Sequence, residues 1–281
     1  MTELTDPFRI RAHVADFDAI SAGYAQASER TRAHLSAELD LAYGDHADEK
    51  LDLFFPPVRQ PNMPVHMFVH GGYWRANTKI DYAFLAEPIV ASGAIAAIVD
   101  YSLMPKARMA VLVGQVRRAA AWLTANAGKF GGDGSALSAS GQSAGAHLVS
   151  YLAARAPHET HLPKTPVRSL LLVSGIYDLT PITHSFLQAE IGLTQDEVMQ
   201  WSPEEAQQSP DTRLTIAVGA DETEPFLIQQ QDLAFAAQAR GAPVERVTLR
   251  RLNHMTILTA MGTPGTPMAD LVVNCVEHSR S

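Results

Sequence analysis

Cysteine is almost missing from this chain of 281 residues, where Cys275 stands alone. An intramolecular disulfide is therefore impossible, and with no Cys/His cluster at ligand spacing no structural zinc or other metal site is expected. Basic charge is also scarce. Lys and Arg number 22 against 30 Asp and Glu, a formal charge of −8, which argues against a nucleic-acid partner and serves solubility instead. No apolar run approaches the roughly 20 residues that span a bilayer. Met1 to Arg11 carry charges where a secretory signal needs a continuous apolar stretch. The expectation is a soluble, cytoplasmic protein with no membrane contact. Internal repeats, low-complexity tracts and linkers are missing as well, so nothing divides the chain. What is present is 46% hydrophobic against 19% charged residues, a mix that disfavours disorder and coiled coil and supplies a sizeable core. A single domain over 1–281 is the resulting reading.

Short apolar runs alternate with longer helical patterns. Strands are predicted near 38–43, 50–55, 64–69, 94–99, 135–140, 168–174, 213–218 and 244–251. Helices are predicted near 78–92, 109–128, 144–155 and 226–240, with another close to the C-terminus. Such alternation implies an α/β fold: a mostly parallel eight-stranded sheet flanked by helices on both faces. Residues 1–37 form an N-terminal extension, helical from residue 12, and 179–211 form an insertion rich in Pro, Gln and Glu. Ligands of such sheets bind beyond the carboxyl ends of the strands, so both stretches are expected to act as lids.

Chemistry enters with Ser138 to Leu148, SASGQSAGAHL, in which Gly141, Gln142, Ser143, Ala144 and Gly145 form G-x-S-x-G between a predicted strand and a predicted helix. A nucleophile elbow requires that context, because the turn is tight and only glycine tolerates the neighbouring backbone. A second segment, Val65 to Trp74, runs a strand directly into His70, Gly71, Gly72, Tyr73 and Trp74. Two unobstructed glycine N–H groups there, with that of Ala144, make an oxyanion hole. Tyr73 and Trp74 are expected to wall the substrate pocket.

A serine nucleophile needs a base, which in the elbow-bearing fold follows the acid along the chain. Past residue 220 only His254 and His278 remain, and His254 directly follows a strand whereas His278 lies in the tail. His254 is the expected base, and His147, one turn after Ser143, is read as a packing histidine. For the acid, the loop after the strand ending in Gly219 offers Asp221 and Glu222, with Glu224 read as a helix N-terminal charge. Asp178 is a weaker rival.

Taken together, YGDHADEKLDLFFP from Tyr43, the HGGYW loop, SAGAHL, and LLVSGIYDL from Leu171 resemble the serine-hydrolase type of kynurenine formamidase, or arylformamidase, within the α/β-hydrolase superfamily. The resemblance extends over nearly the whole chain. It implies an α/β-hydrolase fold, Ser143 as nucleophile, His254 as base, and Gly71, Gly72 and Ala144 as oxyanion donors. The family's acid stands three positions after the strand-ending glycine and four before a phenylalanine, which selects Glu222 through Gly219 and Phe226 and leaves Asp221 as the alternative. Two departures concern the substrate: Gln142 replaces the common histidine before the nucleophile, and Asn253, Met255 and Thr256 replace the residues usual around the base. The implied reaction releases formate from an N-formyl aromatic amine such as N-formylkynurenine, with no metal or organic cofactor. A carboxylesterase acting on short-chain or aryl esters is the alternative, and a non-catalytic ligand-binding member of the fold is a third reading. The expected partner is a small amide or ester, and the sequence leaves room for a homodimer.

Overall fold

Described in a computed structural model at residues 6–164 and 167–280, the apolar runs become strands β1 (Ser36–Ala42), β2 (Lys50–Phe55), β3 (Met63–Val69), β4 (Ile95–Val99), β5 (Gly132–Gln142), the two-residue β6 (Ala154–Arg155), β7 (Val167–Val173), the two-residue β8 (Gln207–Gln208), β9 (Arg213–Gly219) and β10 (Val244–Leu249). Eight of them form one sheet in the order β1-β2-β4-β3-β5-β7-β9-β10, while β6 and β8 pair separately. Only β2 runs against the others in the large sheet. Strands β3 and β4 are buried along their whole length, covered on both faces; β4 is accordingly an unbroken apolar run, and the one polar side chain of β3, His66, is paired at both ring nitrogens with the hydroxyls of Ser138 and Ser140 at 2.8 and 2.7 Å. The edge strands β1 and β10 are partly exposed and carry charges.

The covering helices are α1 (Ile10–His13), α2 (Phe17–His34), α3 (Ala86–Ala91), α4 (Met109–Asn126), α5 (Ala144–Ser150), α6 (Gln188–Ile191), α7 (Gln195–Trp201), α8 (Glu224–Ala239), α9 (Thr256–Met261) and α10 (Pro267–His278). Helix α4 buries Leu112, Val116, Ala119 and Leu123, a stripe at helical spacing that packs on the sheet. Helix α10 starts on Thr266, whose Oγ1 accepts from the N–H of Ala269 at 3.1 Å, with Pro267 at its first position.

Three expected elements come out differently. The segment 78–92 is a 3₁₀ turn, Lys79–Leu85, leading into α3. Its start is pulled inward by the buried Lys79, whose Nζ donates to Asp40 at 2.7 Å and Asp52 at 2.8 Å. The helix expected over 144–155 stops at Ser150, where the Ser150 hydroxyl donates to the carbonyl of His147 at 2.6 Å and the chain leaves to form β6. The strand expected to reach 251 ends at Leu249, since Arg251 takes φ +61° and turns the chain toward His254.

The N-terminal stretch does more than lengthen the chain; its first five residues lie outside the described ones. Helix α2 is tied to the sheet by Arg32 on Asp52 and by Thr31 Oγ1 donating to Glu87 at 2.6 Å. Near its start, Tyr24 stacks on Phe84 at 5.2 Å and donates to the carbonyl of Met255. The stretch 179–211 consists of short helical pieces followed by the two-residue β8. Helix α7 begins with a capping box, Thr194 and Glu197 exchanging bonds, and Arg108 grips the Glu197 carboxylate.

Candidate active site

Four loops at the carboxyl ends of β3, β5, β9 and β10 converge. Strand β5 ends at Gln142, and Ser143 follows with φ 56° and ψ −122°, a conformation that costs energy in a non-glycine residue. Close packing holds it there. A Cβ on Gly145 would lie 2.1 Å from the carbonyl oxygen of Val69, and one on Gly141 would lie 2.4 Å from that of Gly145. The N–H of Ser143 donates to Val173 O at 2.9 Å, which fixes the elbow on β7.

Gly71 lies directly against this turn, since a Cβ there would approach Ser143 Cβ to 3.1 Å. Gly72 has φ +109°, and a side chain on it would strike the carbonyl of Ala76 at 2.4 Å. Ala144 opens α5. The loop is held from behind by His70, buried, its ring stacked on Tyr101 at 4.5 Å and its Nδ1 donating to Gly71 O at 2.8 Å.

On the far side, Glu222 is the carboxylate that meets His254. Its Oε2 accepts from His254 Nδ1 at 2.7 Å, while Oε1 accepts from the N–H of Gly219 at 3.0 Å and from the Ser174 hydroxyl. The Glu222 side chain is fully buried. Asp221, its neighbour, is exposed, and its backbone N–H bonds to Leu252 O at 3.0 Å. Asp178 accepts from Thr180 N at 2.8 Å in a local turn, with no bond to His254. The acid and base loops are pressed together: a Cβ on Gly219 would lie 2.1 Å from Leu252 O. Asn253 Oδ1 accepts from the N–H groups of Met255 and Thr256 at 3.0 and 2.9 Å, shaping the turn that presents His254. The Phe226 ring packs on the imidazole at 4.3 Å.

Ser143 and His254 share one cavity of about 610 Å³ with Gly72, Tyr73 and Gln142. Its walls are aromatic, from Phe8, Phe17, Tyr24, Tyr73, Tyr82 and Phe186. Burial pushes the Tyr73 phenol well up, keeping it protonated, and it donates to the carbonyl of Phe8. The expected pocket role of Trp74 is corrected here. Trp74 is completely buried behind the wall, and its indole N–H donates to His147 Nδ1 at 3.2 Å. His147 in turn donates from Nε2 to Trp201 O at 2.7 Å, and burial lowers its pKa to about 4. It is a neutral packing histidine.

Sequence reasoning missed Phe8, Phe17 and Phe186 as cavity walls and Ser174 as support for Glu222. Ser174 lay within the SGIYDL motif and could have been found there. Phe8 and Phe17 carried no signal, because they sit far from every chemical motif along the chain.

An elbow serine, an acid–histidine pair and a mostly parallel sheet define a serine hydrolase of the α/β-hydrolase fold. The profile of the BD-FAE family matches residues 51–232. The chain is 31% identical to the kynurenine formamidase of Danio rerio, over 96% of this chain and 90% of that protein. Among solved structures, one from Silicibacter sp. tm1040 superposes with a TM-score of 0.79, 27% identical and covering 95% of each chain. Esterase B from Lactobacillus rhamnosis superposes at 0.74, 17% identical, over 95% of this chain and 96% of its own, which shows the shared fold. The chain belongs to the BD-FAE family and is a kynurenine formamidase-like serine hydrolase of the α/β-hydrolase superfamily.

Proposed function

We propose that this enzyme hydrolyses an N-formyl aromatic amine of the N-formylkynurenine type, with Ser143 as nucleophile, His254 as base and Glu222 as the acid that orients it. The observation that carries the reading is the buried Glu222–His254 pair opening, beside Ser143, into an aromatic-walled cavity. The likeness to a kynurenine formamidase over almost the whole chain supports it. His254 takes the proton of Ser143 as the hydroxyl attacks the formyl carbon. The oxyanion is met by the N–H groups of Gly71, Gly72 and Ala144, each such donor being worth about 3 kcal/mol of barrier. His254 then protonates the departing aryl nitrogen, and water, activated by the same base, releases formate from the formyl-serine.

A cavity of about 610 Å³ holds a single-ring substrate with a short side chain. Its aromatic walls suit an aryl leaving group. The deciding measurement compares kcat/KM for N-formylkynurenine with that for short-chain aryl esters. A ratio at or above one supports the formamidase reading. Turnover of esters alone replaces it with the carboxylesterase reading, which uses the same serine, base and oxyanion loop.

A further inference from the structure

The nitrogen of His254 that must receive the serine proton already has a partner. Carboxylates only accept, so Glu222 Oε2 at 2.7 Å fixes the imidazole proton on Nδ1 and leaves Nε2 of the neutral ring as an acceptor. The amide nitrogen of Gln142 stands 3.0 Å from that Nε2 and 3.2 Å from the backbone carbonyl of the same His254. A carbonyl oxygen can only accept, so the end of the amide facing it is NH₂, and the orientation of Gln142 follows from the network. Both amide protons are spent on His254, one on the ring and one on the main chain. Gln142 is buried, next to Ser143, and its other end, Oε1, lies over Gly71: a Cβ on that glycine would come within 2.7 Å of it.

We infer that Gln142 is a positioning residue that clips the base in its neutral form and must give it up before the base can act. The inference rests on the assignment of Ser143 and His254 as nucleophile and base. While the amide donates to Nε2, the lone pair is unavailable to Ser143. Once Nε2 carries a proton, the same NH₂ faces another donor and is expelled. The amide must therefore turn away from Nε2 before His254 can take the proton of Ser143.

The test uses the rate at which a fluorophosphonate labels Ser143, which is independent of the identity of the substrate. Gln142→Met keeps length and volume but removes the donor. It is expected to label about five-fold faster than the parent, the worth of one neutral hydrogen bond. A folded Gln142→Met that labels at the parent rate or slower overturns the clip. A second measurement needs no variant. In parent protein carrying ¹⁵N-histidine, the Nε2 resonance of His254 is expected upfield of a free pyridine-type nitrogen, the signature of an accepted hydrogen bond. A resonance at the free position overturns the clip even if Gln142→Met fails to fold. A parent enzyme that is folded yet resists the probe refutes Ser143 as nucleophile, a distinct failure, and the ¹⁵N spectrum still decides the contact.

Discussion

Replacing Glu222 by glutamine changes one oxygen to NH₂, and the structure dictates where that NH₂ goes. Oε1 accepts from both the Gly219 N–H and the Ser174 hydroxyl, whereas Oε2 faces only His254 Nδ1. An amide with its nitrogen at the Oε1 site would set two donors against a third. The carbonyl therefore stays at Oε1 and NH₂ turns to His254. Facing a donor, Nδ1 becomes the acceptor and the proton moves to Nε2, the wrong tautomer for taking a proton from Ser143. In a serine protease triad the equivalent change lowers kcat about ten-thousand-fold, close to 5 kcal/mol of barrier. Glu222→Gln should fall by a similar factor, with its melting temperature nearly unchanged because two of the three contacts persist. Asp221→Asn, at an exposed side chain one position away, should stay within a few-fold of the parent. Both variants are assayed for kcat on the better of the formamide and ester substrates, with circular dichroism as the folding control. Equal losses, or a larger loss in Asp221→Asn, would refute the reasoning.

Ser143→Ala should lose about a factor of a million in kcat while remaining folded, and substantial residual turnover in a folded variant would remove Ser143 from its proposed role. His66 and His147 are fully buried, and burial lowers their pKa values to about 3 and about 4. Since the unfolded chain takes up these protons below about 6.5 and the folded chain does not, each histidine should cost about 2 kcal/mol of stability between pH 6.5 and 5. Urea titrations at the two pH values test this, and an unchanged midpoint would count against it. Lys79→Met should destabilise by about 3 kcal/mol in the same assay, because the completely buried Asp52 keeps Arg32 but loses its second cation. A change under 1 kcal/mol would show that Arg32 alone satisfies Asp52.

How much of this was legible depended on whether the cause was local. The core strands stood out because burial on both faces demands apolar runs, unbroken in β4 and interrupted in β3 only by His66. The elbow was legible because its glycines are required by contacts within the same loop pair. The choice of Glu222 over Asp221 was open on the residues alone, since neither neighbour carries a local mark; family spacing favoured Glu222, which is the carboxylate that meets His254, buried with Ser174 and Gly219. Trp74 was misplaced because an aromatic after a strand can face the cavity or the core, and only its partner His147, 73 residues on, decides. The bond from Gln142 to His254 crosses 112 residues and depends on two loops meeting, so no pattern in the chain announces it.

Ser143, Glu222 and His254 hang from strands β5, β9 and β10, whereas Phe8, Arg9, Ile10, Arg11, Ala12 and Phe17, which line the same cavity as Ser143 and His254, come from a stretch that enters no strand of the sheet. Part of the cavity wall is thus supplied by a passage of the chain separate from the loops that carry the triad residues. Exchanging residues 6–34 for the matching stretch of a relative would replace that wall together with two braces of the loops behind it, the Tyr24 bond to Met255 and the Pro7 carbonyl that accepts from Thr223. Libraries aimed at new leaving groups belong in that stretch, where a substitution reshapes what is admitted and leaves the elbow untouched.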